Sequence, residues 1–286
     1  METVKTAKTR RPSYRGHFGS LVLMLLVKAA AVITAATLIF IVAYILIRGI
    51  PNLTPQLFAW KYTSENLSMM PAIINTVTMT LLTLVIAVPV GVGAAVSLVE
   101  YAPRTSRLVP VIRVTTETLA GIPSIVYGLF GYLFFNVALG WGYSMLGGAM
   151  TLAIMVLPLV MRTTQEALLA TPDSYREGSF GLGAGRLRTV VKIILPSAMP
   201  GILSGVILAI GRIVGETAAL IYTAGTVSGL PHDLLSSGRT LAVHMYALLS
   251  EGLYIPQAYA TAVVLMLLVL LINALSTRIA RRMTKG

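Results

Sequence analysis

The chain alternates long, uncharged apolar runs with short basic or glycine-rich interruptions. Apolar runs cover Ala29 to Ile47, Ile73 to Val99, Leu119 to Leu139, Tyr143 to Met161, Gly201 to Tyr222 and Ala258 to Leu275. A helix rises about 1.5 Å per residue, so runs of this length predict helices that cross about 30 Å of hydrocarbon. The pattern predicts an all-α membrane protein with six transmembrane helices. Pro89, Gly91 and Gly93 mark an expected kink near the end of the second span. Gly140-Trp141-Gly142 reads as a tight turn, and the fourth span, which contains Pro158, is expected to end at Arg162. The connection over 223–257 predicts a short helix at about Thr240 to Leu249.

Ile47-Arg48-Gly49-Ile50-Pro51 reads as the exit of the first span, and no small-x-small cleavage site follows it directly. A secretory signal is the competing reading, and the first span is read as retained. Trp60 and Tyr62, in the loop over 49–70, suit a membrane interface. The domain reading is a basic tail and lead-in over 1–28, then a six-span domain over 29–286.

One long polar interruption, Pro172 to Pro200, stands out late in the chain. It predicts two short helices joined by a turn at Gly181, Gly183 and Gly185, where positive φ costs little. Thr171 is the expected N-cap, Pro172 the first helical residue, and Asp173 suits the positive end of the helix dipole. In the second helix Leu187, Val190, Val191 and Ile194 share one face, while Arg186, Arg188 and Lys192 take others.

Composition narrows the class. The chain is 56% hydrophobic and 11% charged, with a mean hydropathy of +0.83, whereas soluble domains carry about 25% charged residues. Its net charge of +12 is scattered over connections and tails, which reads as topology rather than a nucleic-acid patch. With a cytoplasmic N-terminus, both tails (Lys5, Lys8, Arg10, Arg11 and Arg15; Arg278, Arg281, Arg282 and Lys285) and the second and fourth loops hold most Lys and Arg. Arg48, Lys61 and Arg239 are the few outside. Both termini and Glu177 then lie in the cytoplasm. There is no cysteine, and His17, His232 and His244 show no ligand spacing and read as interfacial or loop residues, so no metal site is expected.

Chemistry is sparse. No G-x-x-x-x-G-K-[ST] run occurs, so a nucleotide site must belong to another chain, and no catalytic constellation is evident. Arg212 and Glu216 are expected one helical turn apart on one face of the fifth span, with Arg212 about 16 Å in from its start. Two readings stand: a mutual salt bridge that locks helices, or a gate on an anion route. Gly121 and Pro123 in the third span are read as packing or as path, and Glu117 as an i, i+4 partner of Arg113 at the cytoplasmic edge.

Glu177, Gly183, Ile193, Leu195 and Pro196 match the spacing of the cytoplasmic loop of permease subunits of bacterial ABC importers. Gly178 and Ser179 stand where that pattern has alanines, which lowers helix propensity there. LAGIPSIVYGLFGYLFF, GRIVGETAAL and SGRTLAVHMYALLSEG resemble the permeases of the high-affinity phosphate ABC importer, the last leaning to the PstA type over PstC. The resemblance runs from about residue 70 to 277 and implies a type I importer permease fold in a bacterial or archaeal inner membrane. It implies a heterodimer with a PstC-like permease, a PstB-like ATPase dimer that uses ATP and Mg, a PstS-like phosphate-binding protein outside, and surrounding membrane lipid. It implies no cofactor on this chain and no nucleic acid partner. By the same resemblance, 165–196 is the ATPase-coupling segment and Arg212 and Glu216 are the intramembrane charged pair. Another oxyanion (molybdate, sulfate, phosphonate) is the nearest alternative. A secondary transporter or channel is a further one, which the loop motif and the lack of a visible internal repeat oppose.

Overall fold

The computed structural model describes residues 18–103 and 107–283; the basic tail, His17, Arg104 and Lys285 lie outside them. No strand occurs among the described residues. The helix α1, Phe18–Gly49, is a continuous apolar helix long enough to span a membrane. Residues 48–286 make up a separate compact unit.

Within that unit α2, Met70–Val96, runs through Pro89 and opens into a π-helical turn over Ser97–Tyr101. Gly91 serves an approach between helices, since a Cβ there would lie 2.8 Å from Val160. Helix α5, Met145–Leu169, passes through Pro158 and past Arg162, so the fourth span does not end at its first charge. Ser144 caps it by accepting from the Gly147 amide at 3.1 Å. Gly140 and Gly142 both have positive φ, as the tight turn demands.

Two expected single spans are broken. The third is α3, Leu108–Ala120, and α4, Ser124–Gly131, bent by 99° between them and continued to Ala138 by a π-helical turn. Pro123 supplies no amide to the preceding turn, which ends α3. The fifth runs from Arg186 rather than Gly201. Helix α7, Arg186–Thr189, passes through a π-helical turn over Val190–Ile194 directly into α8, Leu195–Val214. After a break at Gly215 to Thr217 the chain resumes as α9, Ala218–Thr223. The polar interruption is therefore α6, Asp173–Gly181, a turn with Gly183 at φ 82°, and the base of the next span. The N-cap of α6 is Pro172, one residue later than expected, while the Thr171 hydroxyl bonds back to the Ala167 carbonyl. Helix α10, Leu241–Glu251, is the expected outer helix, and α11, Ile255–Met283, closes the chain. Among the described residues five helices are long and apolar enough to span a membrane, and the bent pair makes six.

The core is built on α2, α5, α8 and α9, with Met79, Leu152, Val156, Ile213 and Leu220 buried together. Helix α4 lies against α9 so closely that a Cβ on Gly128 would sit 2.8 Å from the Ala219 Cα. Backbone cannot yield as a side chain can, so Gly128→Ala is expected to cost on the order of 1–3 kcal/mol. Thermal melting in detergent checks this, with Gly93→Ala as control because its Cβ meets nothing within 4 Å. Equal melting temperatures for the two variants would contradict the close approach.

Candidate functional site

The helices that follow the two breaks, α4 and α9, pack against each other. Gly201 and Gly205 of α8 face Ala167 and Thr163 of α5, an antiparallel register. Extended by a few turns, it sets Arg212 level with Val156, about 16 Å from the Met145 end of α5. At the first break, Leu119 has lost the donor that Pro123 would have supplied, and the Tyr127 hydroxyl donates to that carbonyl at 2.8 Å. At the second, the buried Glu216 carboxylate accepts from the Ala219 amide at 3.1 Å and stabilises the positive end of α9.

Arg212 and Glu216 therefore form no ion pair. The α-helix ends between them, and the expected shared face does not exist. Arg212 occupies the last turn of α8, where the helix dipole favours a cation. It is half-buried, within electrostatic reach of Tyr127, and makes no ion pair among the described residues. Gly121 and Pro123 form the first break itself, and Gly121 is exposed, a Cβ there meeting only the carbonyls of Thr118 and Glu117 at 3.5 and 4.0 Å. Further out, Asn136 donates to the carbonyls of Tyr222 and Thr223 at 3.1 and 3.2 Å and joins the outer ends of both broken spans.

Toward the other end, Glu117 does not pair with Arg113. It lies within electrostatic reach of Arg162, which binds Glu166 at 3.0 Å with both side chains more than 60% exposed. Ionisable side chains on membrane-spanning helices mostly face a partner, a watery path or the interface. This exposed strip on α3 and α5 thus suits a protein partner or a watery path.

The residues matched to the coupling pattern fall on one piece of structure. Glu177 is exposed on α6 without an ion pair among the described residues. Ile193 and Leu195 pack on the buried cluster of Leu168, Ile194, Ala198 and Ile202, and Pro196 is exposed. Gly183 turns the chain between α6 and α7. Ser179, which replaces an alanine of the pattern, is buried and its hydroxyl meets that of Thr189 at 2.8 Å, tying α6 to α7. Leu182 at the turn is 91% exposed and Leu187 69%, an apolar tip with nothing among the described residues over it.

Sequence reasoning missed what anchors this piece. Arg176 binds Glu100, on the π-helical turn after α2, at 2.7 Å with side-chain exposures of 16% and 8%. It also donates to the carbonyls of Leu168 and Thr171 at 2.9 Å and to Asp173 at 3.1 Å. Its guanidinium is held charged above the usual arginine range, chiefly by the Glu100 hydrogen bond. No local spacing signals a pair so distant in sequence.

At the end of the bundle opposite the coupling segment, His244 is a core residue of α10 rather than an interfacial or loop one, with 0% exposure, and Arg239, in the connection before α10, is 5% exposed. Arg239 lies over the Tyr62 ring at 4.7 Å, and Tyr62 meets His244 edge-on at 6.2 Å. Burial first, and then the Arg239 charge, lower the His244 pKa from 6.5 to about 3. The Leu67 backbone favours the charged ring slightly, yet neither ring nitrogen reaches a partner in good hydrogen-bond geometry. The fold thus prefers neutral His244. That stability is fully present above pH 6.5 and is lost as pH falls from there toward 3, by at most about 1.4 kcal/mol per pH unit. Melting temperature is expected to fall between pH 7 and pH 5, and to fall less in His244→Gln. Parallel profiles would contradict it.

Among the described residues no group of three or more His, Asp or Glu could hold a metal ion. The family model of the binding-protein-dependent transport system inner membrane component matches residues 87–285. The chain is 35% identical to the probable ABC transporter permease protein YqgI of Bacillus subtilis, over 89% of this chain and 94% of that one. It is 31% identical to the phosphate transport system permease protein PstA of Mycobacterium leprae, over 94% and 91% of the two chains. In fold it resembles a chain of a bacterial alginate ABC transporter, with TM-score 0.71, 14% identity and coverage of 93% and 96%. It also resembles a chain of the inward-facing MetNI methionine ABC transporter, with TM-score 0.59, 23% identity and coverage of 76% and 94%.

Proposed function

Because this multi-pass chain belongs to the family of binding-protein-dependent transport system inner membrane components, we propose that it is the PstA-type permease subunit of an ATP-driven phosphate importer. The observation that carries the substrate is the near full-length match to a phosphate transport system permease. A cation at mid-depth with no ion pair among the described residues fits the oxyanion class. Sulfate, molybdate and phosphonate share that class, so competition decides between them. Cells that depend on this chain should take up labelled phosphate, with excess unlabelled phosphate competing and sulfate, molybdate and phosphonate failing to compete. Uptake blocked by molybdate or sulfate instead would overturn the substrate.

In this reading the chain forms half of the path, with a PstC-like permease facing the strip of Glu117, Arg162 and Glu166. A PstS-like binding protein delivers phosphate from outside. Residues 165–196 dock on a PstB-like ATPase that binds ATP and Mg, with Leu182 and Leu187 entering its cleft and Glu177 flanking them. The apolar tip supports this role, since a solvated surface seldom leaves leucines so bare. Closure of the ATPase dimer moves α6 and α7, and α7 passes the movement into α8 because the helix is continuous between them. ATP shifts the equilibrium through its different affinity for the two states. Glu177→Lys is expected to abolish coupling: ATPase activity stimulated by the loaded binding protein falls at least tenfold while the permease still inserts. Wild-type stimulation would count against docking at this helix.

A further inference from the structure

A cavity of about 890 Å³ opens between the end of α2, α3, the end of α5 and α6. It lies at the same end of the bundle as the coupling segment, and its lining includes Arg113, Arg176 and Arg186 with Glu100 and Asp173. Both carboxylates are already taken by Arg176, at 2.7 and 3.1 Å. Arg113 and Arg186 therefore have no carboxylate among the described residues. Arg186 rests on the Tyr101 ring at 5.3 Å, which orients the guanidinium without neutralising it. Gln165 apart, the rest of the wall is apolar, with Val114 and Leu169 both more than 60% exposed.

Two unspent guanidinium groups beside bare aliphatic side chains match one ligand chemistry, a phosphate group, and the aliphatic wall matches an attached acyl chain. We propose that this cavity binds a phosphate-bearing anion through Arg113 and Arg186. The headgroup of an anionic phospholipid suits both walls; a free phosphate would use the arginines alone. Guanidinium forks bind phosphate oxygens in a bidentate way, and basic pockets between spans at the cytoplasmic face take anionic headgroups. The cavity touches both α6 and α7, so its occupant stiffens the coupling segment against α3. This site is separate from Arg212 and is tested by binding alone, so the result holds whatever ion is transported.

The full permease complex is purified in detergent, mixed with phosphatidylglycerol or phosphatidylcholine, and bound lipid is counted by native mass spectrometry. Wild type is expected to retain phosphatidylglycerol over phosphatidylcholine, and Arg113→Ala/Arg186→Ala to retain about tenfold less. Arg113→Lys/Arg186→Lys keeps the charges and is expected to recover part of the binding, which separates loss of the site from loss of fold. In the second arm, millimolar inorganic phosphate replaces lipid. Thermal protection of wild type and not of the alanine variant assigns the site to free phosphate. Equal lipid retention and equal phosphate response in wild type and the alanine variant would overturn the site. Displacement of phosphatidylglycerol when the ATP-binding subunit docks would overturn it too, assigning the arginines to that protein.

Discussion

Arg212→Gln is expected to abolish phosphate uptake while the protein still folds and assembles. Glutamine keeps hydrogen-bonding capacity and loses only the charge, and the charge is what the site leaves free. Glu216 is committed to the first turn of α9, and no other carboxylate pairs with Arg212 among the described residues. On the proposed path a fixed, partly desolvated cation acts far more strongly than one in water, so the expected loss is on the order of 100-fold. Stability should change little, since Arg212 bonds nothing that its removal would leave unsatisfied. Glu216→Gln makes the contrasting case, weakening the start of α9 by about 1 kcal/mol. Labelled phosphate uptake, read beside thermal melting, separates the two. Near wild-type uptake by Arg212→Gln would remove it from the path.

The second large effect is expected at Arg176. Arg176→Ala leaves Glu100 buried and unpaired, and breaking a buried pair in this way costs about 3 kcal/mol or more. The same guanidinium holds the carbonyls of Leu168 and Thr171, so its loss frees α6 from the end of α5. The variant should bind the ATPase and fail to transmit its closure, with protease cutting at the Gly183 turn as the direct readout. Replacing both charges, as in Arg176→Met/Glu100→Leu, removes the unpaired carboxylate and should restore much of the protease resistance. Wild-type resistance in Arg176→Ala would show that the anchor is dispensable.

The six apolar runs were legible because burial in lipid needs only length and hydropathy. The turns at Gly140, Gly142 and Gly183 were legible because positive φ selects glycine. What escaped detection is local breaks and continuities of the helices, and one contact between distant segments. Gly215 looks like one more small residue in an apolar helix, and the break there appears only once Glu216 is seen capping α9. Ending a span at its first charge placed the end of α5 at Arg162, although the helix carries that arginine on an exposed face to Leu169. The continuity from α7 into α8 was hidden by Pro196 and Pro200. The π-helical turn over Val190–Ile194 widens the backbone before Pro196 and accommodates its ring. Glu100 and Arg176 carry no mutual spacing, so only the fold brings them together.

On the proposed function this chain carries phosphate inward at the expense of ATP hydrolysed by another subunit. Proteoliposomes holding this chain, its partner permease and the ATP-binding subunit, with loaded phosphate-binding protein on one side and ATP on the other, test it most directly. Phosphate accumulation that requires ATP and the binding protein together is the predicted result. Accumulation driven by an ion gradient without ATP, or ATP-dependent transport of another oxyanion in place of phosphate, would contradict it.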